Sequence, residues 1–121
     1  MGNVRTHRDL DVWREGIELV TKVYAVVQDF PKEEKFGLVD QIKRASVSIP
    51  SNIAEGAARN SKKEFIHYLH IALGSLSELE TQLTIASRLN FLKNTDIFED
   101  IEKEKRKTLG LLRYLKEKRE T

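Results

Sequence analysis

Polar side chains recur along the middle of the chain at the spacing of one helix face, and they are the first residues whose chemistry needs an explanation. One row steps by three, four, four and three, and a shorter row follows it. Polar groups in such rows need hydrogen-bond partners once they are buried. The rows therefore predict a polar seam between helices or subunits, with a solvated stripe and a ligand site as the alternatives. They comprise Gln41, Arg44, Ser48, Asn52 and Glu55, and then Ser75, Glu78 and Gln82.

One pair of residues has the spacing of half a metal site. Glu64 and His67 are three residues apart, as in the carboxylate-bridged di-iron sites of helix bundles. That chemistry needs a second Glu-x-x-His, and neither His7 nor His70 follows a glutamate at that distance. The chain also lacks cysteine and a Gly-rich phosphate loop. We therefore expect no catalytic residue, no metal site and no cofactor, and a metal-dependent enzyme is the weakest hypothesis.

Basic side chains late in the chain are candidates for contact with nucleic acid. The net charge of +2 is only mildly basic, short of the bias typical of a dedicated nucleic-acid binder. Acidic residues, Glu104 among them, interleave with the basic ones, which favours a solvated helix face. The aromatic residues mostly lie on apolar rows, so any RNA contact is expected to depend on phosphate charge. The candidates for such contact are Lys43, Lys103, Lys105, Arg106 and Lys107.

The elements that would position these side chains are four helices. Apolar residues spaced by three and four predict them at about residues 10–29, 32–58, 62–90 and 95–118. Short connections make consecutive helices antiparallel neighbours. The sequence predicts an all-α protein, an up-down-up-down four-helix bundle formed by residues 1–121 as a single domain.

Pro50 falls in the middle of the second predicted helix. A proline removes one helical hydrogen bond and clashes with the carbonyl four residues earlier, here that of Ser46. The apolar row of Ile42, Ile49 and Ile53 nevertheless continues through it. We therefore expect one helix kinked at Pro50 and not two helices.

The first helix has two apolar rows, although a lone bundle needs only one. We expect the additional row to be exposed on a monomer and to form a subunit interface, which predicts a homo-oligomer. The alternative is that both rows are buried within one wide bundle. The first row is Leu10, Trp13, Ile17, Val20, Tyr24 and Val27, and the additional row is Val12, Leu19, Val23 and Val26.

The distribution of charge predicts no contact with a membrane interior. Charged residues interrupt every apolar segment, so no membrane span is expected. No apolar run of the signal-peptide type follows the N-terminus, and the absence of cysteine is compatible with the cytoplasm. We therefore expect a cytoplasmic protein.

The order of short motifs resembles a known family. The most specific motif is Ser51-Asn52-Ile53-Ala54-Glu55-Gly56, with Phe30-Pro31 and Gln41-Ile42-x-Arg44-Ala45 before it and Gly74-Ser75-Leu76 after it. Over residues 7 to 115 the chain is similar to the four-helix-bundle proteins encoded in intervening sequences of bacterial 23S ribosomal RNA genes, which are sometimes labelled ribosomal proteins.

This resemblance implies an assembly and a set of partners. It implies a homopentameric ring around a central channel. It also implies a distant relation to the accessory proteins of diversity-generating retroelements, which bind nucleic acid and a reverse transcriptase. It implies no established activity. Two interpretations follow: an oligomeric scaffold that binds RNA or a nucleic-acid-handling partner, and a protein-binding adaptor with no nucleic-acid role.

Overall fold

Four α-helices form most of the protein in a computed structural model, which describes residues 7–118. They are α1 (Asp11–Val27), α2 (Leu38–Ala58), α3 (Lys62–Arg88) and α4 (Ile97–Lys118), with short 3₁₀ turns at His7–Asp9 and Lys32–Glu34. Each helix packs against the next one along the chain, and α4 packs against α1, whereas the backbones of the diagonal pairs do not approach closely within residues 7–118. The predicted all-α, up-down-up-down four-helix bundle is confirmed.

The core takes one apolar side from every helix, and α1 contributes its additional row. Val12 and Leu19 are buried, Val23 is 0% exposed, and Val26 packs against the core from its edge. The middle of the first row, from Trp13 to Tyr24, is partly or largely exposed instead, whereas the ends of that row, Leu10 and Val27, are buried. The prediction that the additional row remains exposed on a monomer is therefore wrong, because this row faces the bundle interior.

Pro50 lies inside α2, which runs without a break through it. Pro50 is buried and packs against Gly16 of α1, where an added Cβ would lie 3.4 Å from the Cβ of Pro50. Since proline has no N–H group, the Ser46 carbonyl loses its usual helical donor. The predicted single helix through Pro50 is confirmed.

The second helix begins later than predicted, at Leu38 and not at residue 32. Pro31 precedes a separate 3₁₀ turn, Lys32–Glu34. Gly37 then has φ −113° and ψ −105°, outside the helical region, so the backbone changes direction before α2 starts. Proline fits the start of a 3₁₀ turn as well as that of an α-helix, and the sequence pattern did not separate the two.

Close contact between α2 and α3 depends on Gly56, the last residue of the Ser-Asn-Ile-Ala-Glu-Gly motif. An added Cβ there would lie 2.7 Å from the Cβ of Tyr68 and 3.0 Å from Cδ1 of Phe65. A side chain at this position would force the helices apart. Beyond the connection, Ser61 caps α3, because its hydroxyl accepts a hydrogen bond of 3.2 Å from the Glu64 N–H.

Most apolar residues of the helices are buried in the core, and the others are partly exposed on the surface of the bundle. Within residues 7–118, no helix combines the length and the apolar character that a membrane crossing needs.

The assigned core can be tested at Leu76, which is fully buried on α3. We expect Leu76→Asp to unfold the bundle, because an unpaired buried carboxylate removes several kcal/mol from a typical total of about 5–15 kcal/mol. Circular dichroism and thermal melting measure the loss. Ser77→Asp, one residue along on the exposed side, is the control and should melt like the wild type. Equal melting of both variants would contradict the assigned core.

Candidate functional site

The inner members of the two predicted polar rows meet between α2 and α3. The hydroxyl oxygens of Ser48 and Ser75 lie 2.8 Å apart. The Asn52 amide donates to both the carbonyl and the hydroxyl of Ser48, each at 2.8 Å. These groups satisfy one another at the helix contact. This part of the rows is a helix–helix seam.

The outer members of the rows face solvent or make local pairs. Arg44 bonds Asp40 at 2.9 Å, and Glu55 accepts a bond of 2.8 Å from Arg59. Both are exposed pairs one helical turn apart, and such pairs stabilise a helix only weakly. Gln82 differs, since it is buried and its Oε1 lacks a hydrogen-bond partner. The members that lie exposed are Gln41, Arg44, Glu55 and Glu78.

Three of the five predicted nucleic-acid contacts are paired with carboxylates. Lys103 and Lys107 of α4 lie 3.2 Å and 3.0 Å from Oε1 of Glu15 on α1. Lys105 lies on the other side of α4 and contacts Glu80 of α3 at 2.7 Å. These lysines join α4 to its neighbours, so a phosphate would have to compete with a carboxylate for each of them.

The other two predicted contacts are far from one another in the fold. Arg106 is exposed on α4, whereas Lys43 belongs to α2, on the diagonal of the bundle. The Lys43 ammonium lies 4.7 Å from the centroid of the Tyr24 ring. The structure therefore does not gather the five basic residues into one surface.

A buried carboxyl group lies among the helices, at a position where the sequence pattern favours a solvated face. Glu104 of α4 is 1% exposed, and neither of its carboxyl oxygens has a hydrogen-bond partner among the described residues. It reaches the position where Gly16 of α1 lacks a side chain, and an added Cβ there would lie 3.1 Å from Oε2. The absent side chain of Gly16 thus leaves space for this carboxyl beside Pro50.

The surroundings of Glu104 keep its carboxyl neutral at ordinary pH. The pKa of this carboxyl is raised from the ordinary 4.5 to about 8, mainly by burial and also by the negative charge of Glu15, while Lys107 opposes the shift. Burial also raises the pKa of Glu15, but hydrogen bonds from Lys107 and Lys103 outweigh that effect and lower it. The pair therefore divides into a proton-bearing Glu104 and an ionised Glu15.

The sequence did contain a signal for the burial of Glu104. In α4 the buried residues Ile101 and Thr108 are seven residues apart, and position 104 lies between them on the same side. The interpretation of Glu104 as part of a solvated face is wrong. It relied on the alternating charges of the segment and not on its register.

An exposed apolar strip runs along the outer junction of α1 and α2. Ile17 is 39% exposed and Val47 is 41% exposed, and the side chains around them are half-buried. Together with Pro50 and Ser51 they line a groove of about 250 Å³. We call this the α1–α2 strip; its residues are Trp13, Ile17, Val20, Val47 and Ala54.

Two aromatic side chains are displayed beside lysines. Phe36, in the turn before α2, is 88% exposed, and the Lys35 ammonium lies 5.4 Å from its ring centroid. Tyr24 is 40% exposed beneath Lys43. The expectation that aromatic side chains are not displayed among basic ones fails at these two positions.

The Glu64–His67 pair does not extend to a metal site within the described residues. Both side chains are exposed on α3. Across residues 7–118, no group of three or more histidine, aspartate or glutamate side chains is arranged to hold a metal ion.

The buried carboxyl predicts how stability depends on pH. Between about pH 4.5 and 8 the folded state keeps the Glu104 proton and the unfolded state loses it, so stability falls as pH rises. At about 1.4 kcal/mol per pH unit, the full loss amounts to about 5 kcal/mol. Glu104→Gln should remove this dependence and be more stable than the wild type at pH 8. Urea unfolding between pH 5 and 8 measures both slopes.

Glu102→Gln is the matched control, since Glu102 lies exposed on the same helix. It should keep the wild-type slope. A Glu104→Gln variant with the same pH dependence as the wild type would show that Glu104 is ionised in the folded protein.

Comparison with known proteins is consistent with this architecture. The family model of the 23S rRNA-intervening sequence protein matches residues 8–113. The chain is also similar to the crystal structure of a protein with unknown function from the S23 ribosomal protein family, from Bacteroides thetaiotaomicron. The TM-score is 0.77 and the identity 24%, over 84% of this chain and 95% of that one, a likeness that shows the shared fold. No curated protein matches the chain significantly. Because the family model spans most of the sequence, the chain belongs to the 23S rRNA-intervening sequence protein family.

Proposed function

We propose that the chain is a non-enzymatic scaffold of the cytoplasm that self-associates through the α1–α2 strip and binds RNA or a nucleic-acid-handling protein such as a reverse transcriptase. The observation that supports self-association best is the strip itself. A lone bundle would leave Trp13, Ile17 and Val47 in contact with water along one groove. Contiguous exposed apolar surface usually marks an interface.

A second copy is the occupant that the exposed side chains favour. The exposed side of α3 carries Ile71, Glu78 and Ile85 at steps of seven, so they share one side of that helix. Isoleucines there complement the apolar strip. Two different faces that meet head to tail close into a ring when the rotation permits.

The proposed number of subunits, five, comes from the family resemblance. A homopentamer agrees with a head-to-tail contact, since such contacts are compatible with any ring size. Light scattering would then report a mass about five times 14.0 kDa.

RNA is the partner that we propose for the assembled scaffold. If each subunit makes a few weak phosphate contacts, a ring of subunits repeats them and binds one RNA more tightly than a single subunit does. The alternative is a protein-binding adaptor with no nucleic-acid role, and the pairing of Lys103, Lys105 and Lys107 with carboxylates favours it. A mobility-shift assay with single-stranded RNA at low and physiological salt separates the two. Binding that falls steeply with salt supports the scaffold, and no binding at low salt supports the adaptor.

Self-association can be tested at Ile17, in the middle of the α1–α2 strip. Ile17→Glu should reduce the mass to that of the 14.0 kDa monomer, because a desolvated carboxylate opposes the contact, while far-UV helicity is retained. Size exclusion with light scattering at micromolar concentration measures this.

Two variants of α1 serve as controls. Ala25→Glu places the same charge on an exposed position away from the strip and should assemble normally. Val23→Glu, in the core, should lose helicity instead. A monomeric wild type, or an Ile17→Glu variant that assembles normally, would contradict the proposed interface.

A further inference from the structure

A cavity of about 340 Å³ opens at the corner where α1 ends and α2 begins. Its walls are apolar and include Val27, Phe30, Pro31 and Val39, of which Pro31 alone is not buried. The 3₁₀ turn before α2 and the late start of that helix produce this cavity. We call it the corner cavity.

Three lysines surround the corner cavity. Lys32 and Lys35 come from the 3₁₀ turn and the residue after it, and Lys43 comes from α2. None of the cavity's described lining residues is a carboxylate. Asp40, the nearest acid on α2 in sequence, lines a neighbouring cavity and pairs with Arg44 at 2.9 Å. The charge of the corner cavity therefore suits an anion.

Two aromatic rings flank these lysines. Phe36 is 88% exposed, and its ring has the Lys35 ammonium at 5.4 Å from the centroid. Tyr24 has the Lys43 ammonium at 4.7 Å. In each pair the cation is held by a ring face in the absence of an anion. A phosphate that attracts the ammonium away would free the ring face for a planar group.

We propose that the corner cavity and Phe36 form a binding site for single-stranded nucleic acid. Phosphates would contact Lys32, Lys35 and Lys43, and an unpaired base would stack on Phe36. This inference rests on the proposed RNA-binding function. It places the binding site at the corner between α1 and α2, away from the basic residues of α4. Alternating aromatic and basic side chains are the usual means of holding unpaired bases with little sequence preference.

The charges beside Phe36 make a membrane surface a poorer fit. Residues 32–35 are four consecutive charged residues, and two of them are the carboxylates Glu33 and Glu34. Immersion of Phe36 in an anionic bilayer would bring both carboxylates to the lipid headgroups. An unpaired base on a flexible strand can reach the Phe36 ring while the phosphates of the strand stay away from Glu33 and Glu34.

The test measures how tightly the protein binds a fluorescent single-stranded oligonucleotide and the corresponding duplex, by fluorescence polarisation over a range of salt concentrations. Phe36→Leu should weaken single-strand binding about tenfold, as the loss of one stacked base does, with an unchanged salt slope. The double variant Lys32→Gln and Lys35→Gln should lower the log–log salt slope by about 1.4, at about 0.7 for each phosphate. Lys63→Gln, exposed on α3, is the matched control and should bind like the wild type, and Arg106→Gln reports on the basic residues of α4.

The outcomes separate this site from the proposed function. No binding by the wild type at low salt would overturn both. Single-strand binding that Arg106→Gln reduces and Phe36→Leu does not would overturn the corner site alone. Equal affinity for strand and duplex would also overturn it, because a duplex cannot present its base faces. Binding of the wild type to phosphatidylserine vesicles, without oligonucleotide binding, would reassign the corner to a membrane surface and overturn the proposal.

Discussion

The close packing of α2 against two neighbours is the constraint on which the rest of the structure depends. On one side Gly56 allows contact with Phe65 and Tyr68 of α3, and on the other Pro50 packs against Gly16 of α1. Both contacts need a missing side chain. The contact at Gly16 sets the rotation of α1, so that Val23 faces the core and Ile17 faces water. The α1–α2 strip is a consequence of this geometry and not a separate feature of the sequence.

The same packing explains the buried carboxyl. Gly16 leaves a space between α1 and α2, and Glu104 of α4 enters it. A buried acid without partners is tolerated when it stays protonated, and its pKa of about 8 is consistent with that state. Glu15 remains ionised beside it because Lys103 and Lys107 bond to it. The lysines that resembled a phosphate-binding group in the sequence therefore stabilise the α1–α4 contact.

The periodicity of apolar residues was sufficient to predict four helices, their order and the continuity of α2 through Pro50. It did not decide which of two adjacent rows on α1 faces inward, since both have helical spacing and only the position of α2 and α4 distinguishes them. Polar pairing was predicted for Ser48, Asn52 and Ser75 because their spacing requires it. The exposure of Phe36 could not be predicted, because the turn in which it lies, between the 3₁₀ turn and α2, falls within the helix that the periodicity predicted from residue 32.

The central claim is that a second copy of the chain covers the α1–α2 strip. Trp13 is the single tryptophan of the protein and belongs to the strip, so its fluorescence reports directly on that surface. As protein concentration rises, we expect the Trp13 emission to shift to the blue and iodide quenching to fall, in step with the mass from light scattering. Emission that stays accessible to iodide while the mass rises would place the interface elsewhere and rule out assembly through the strip.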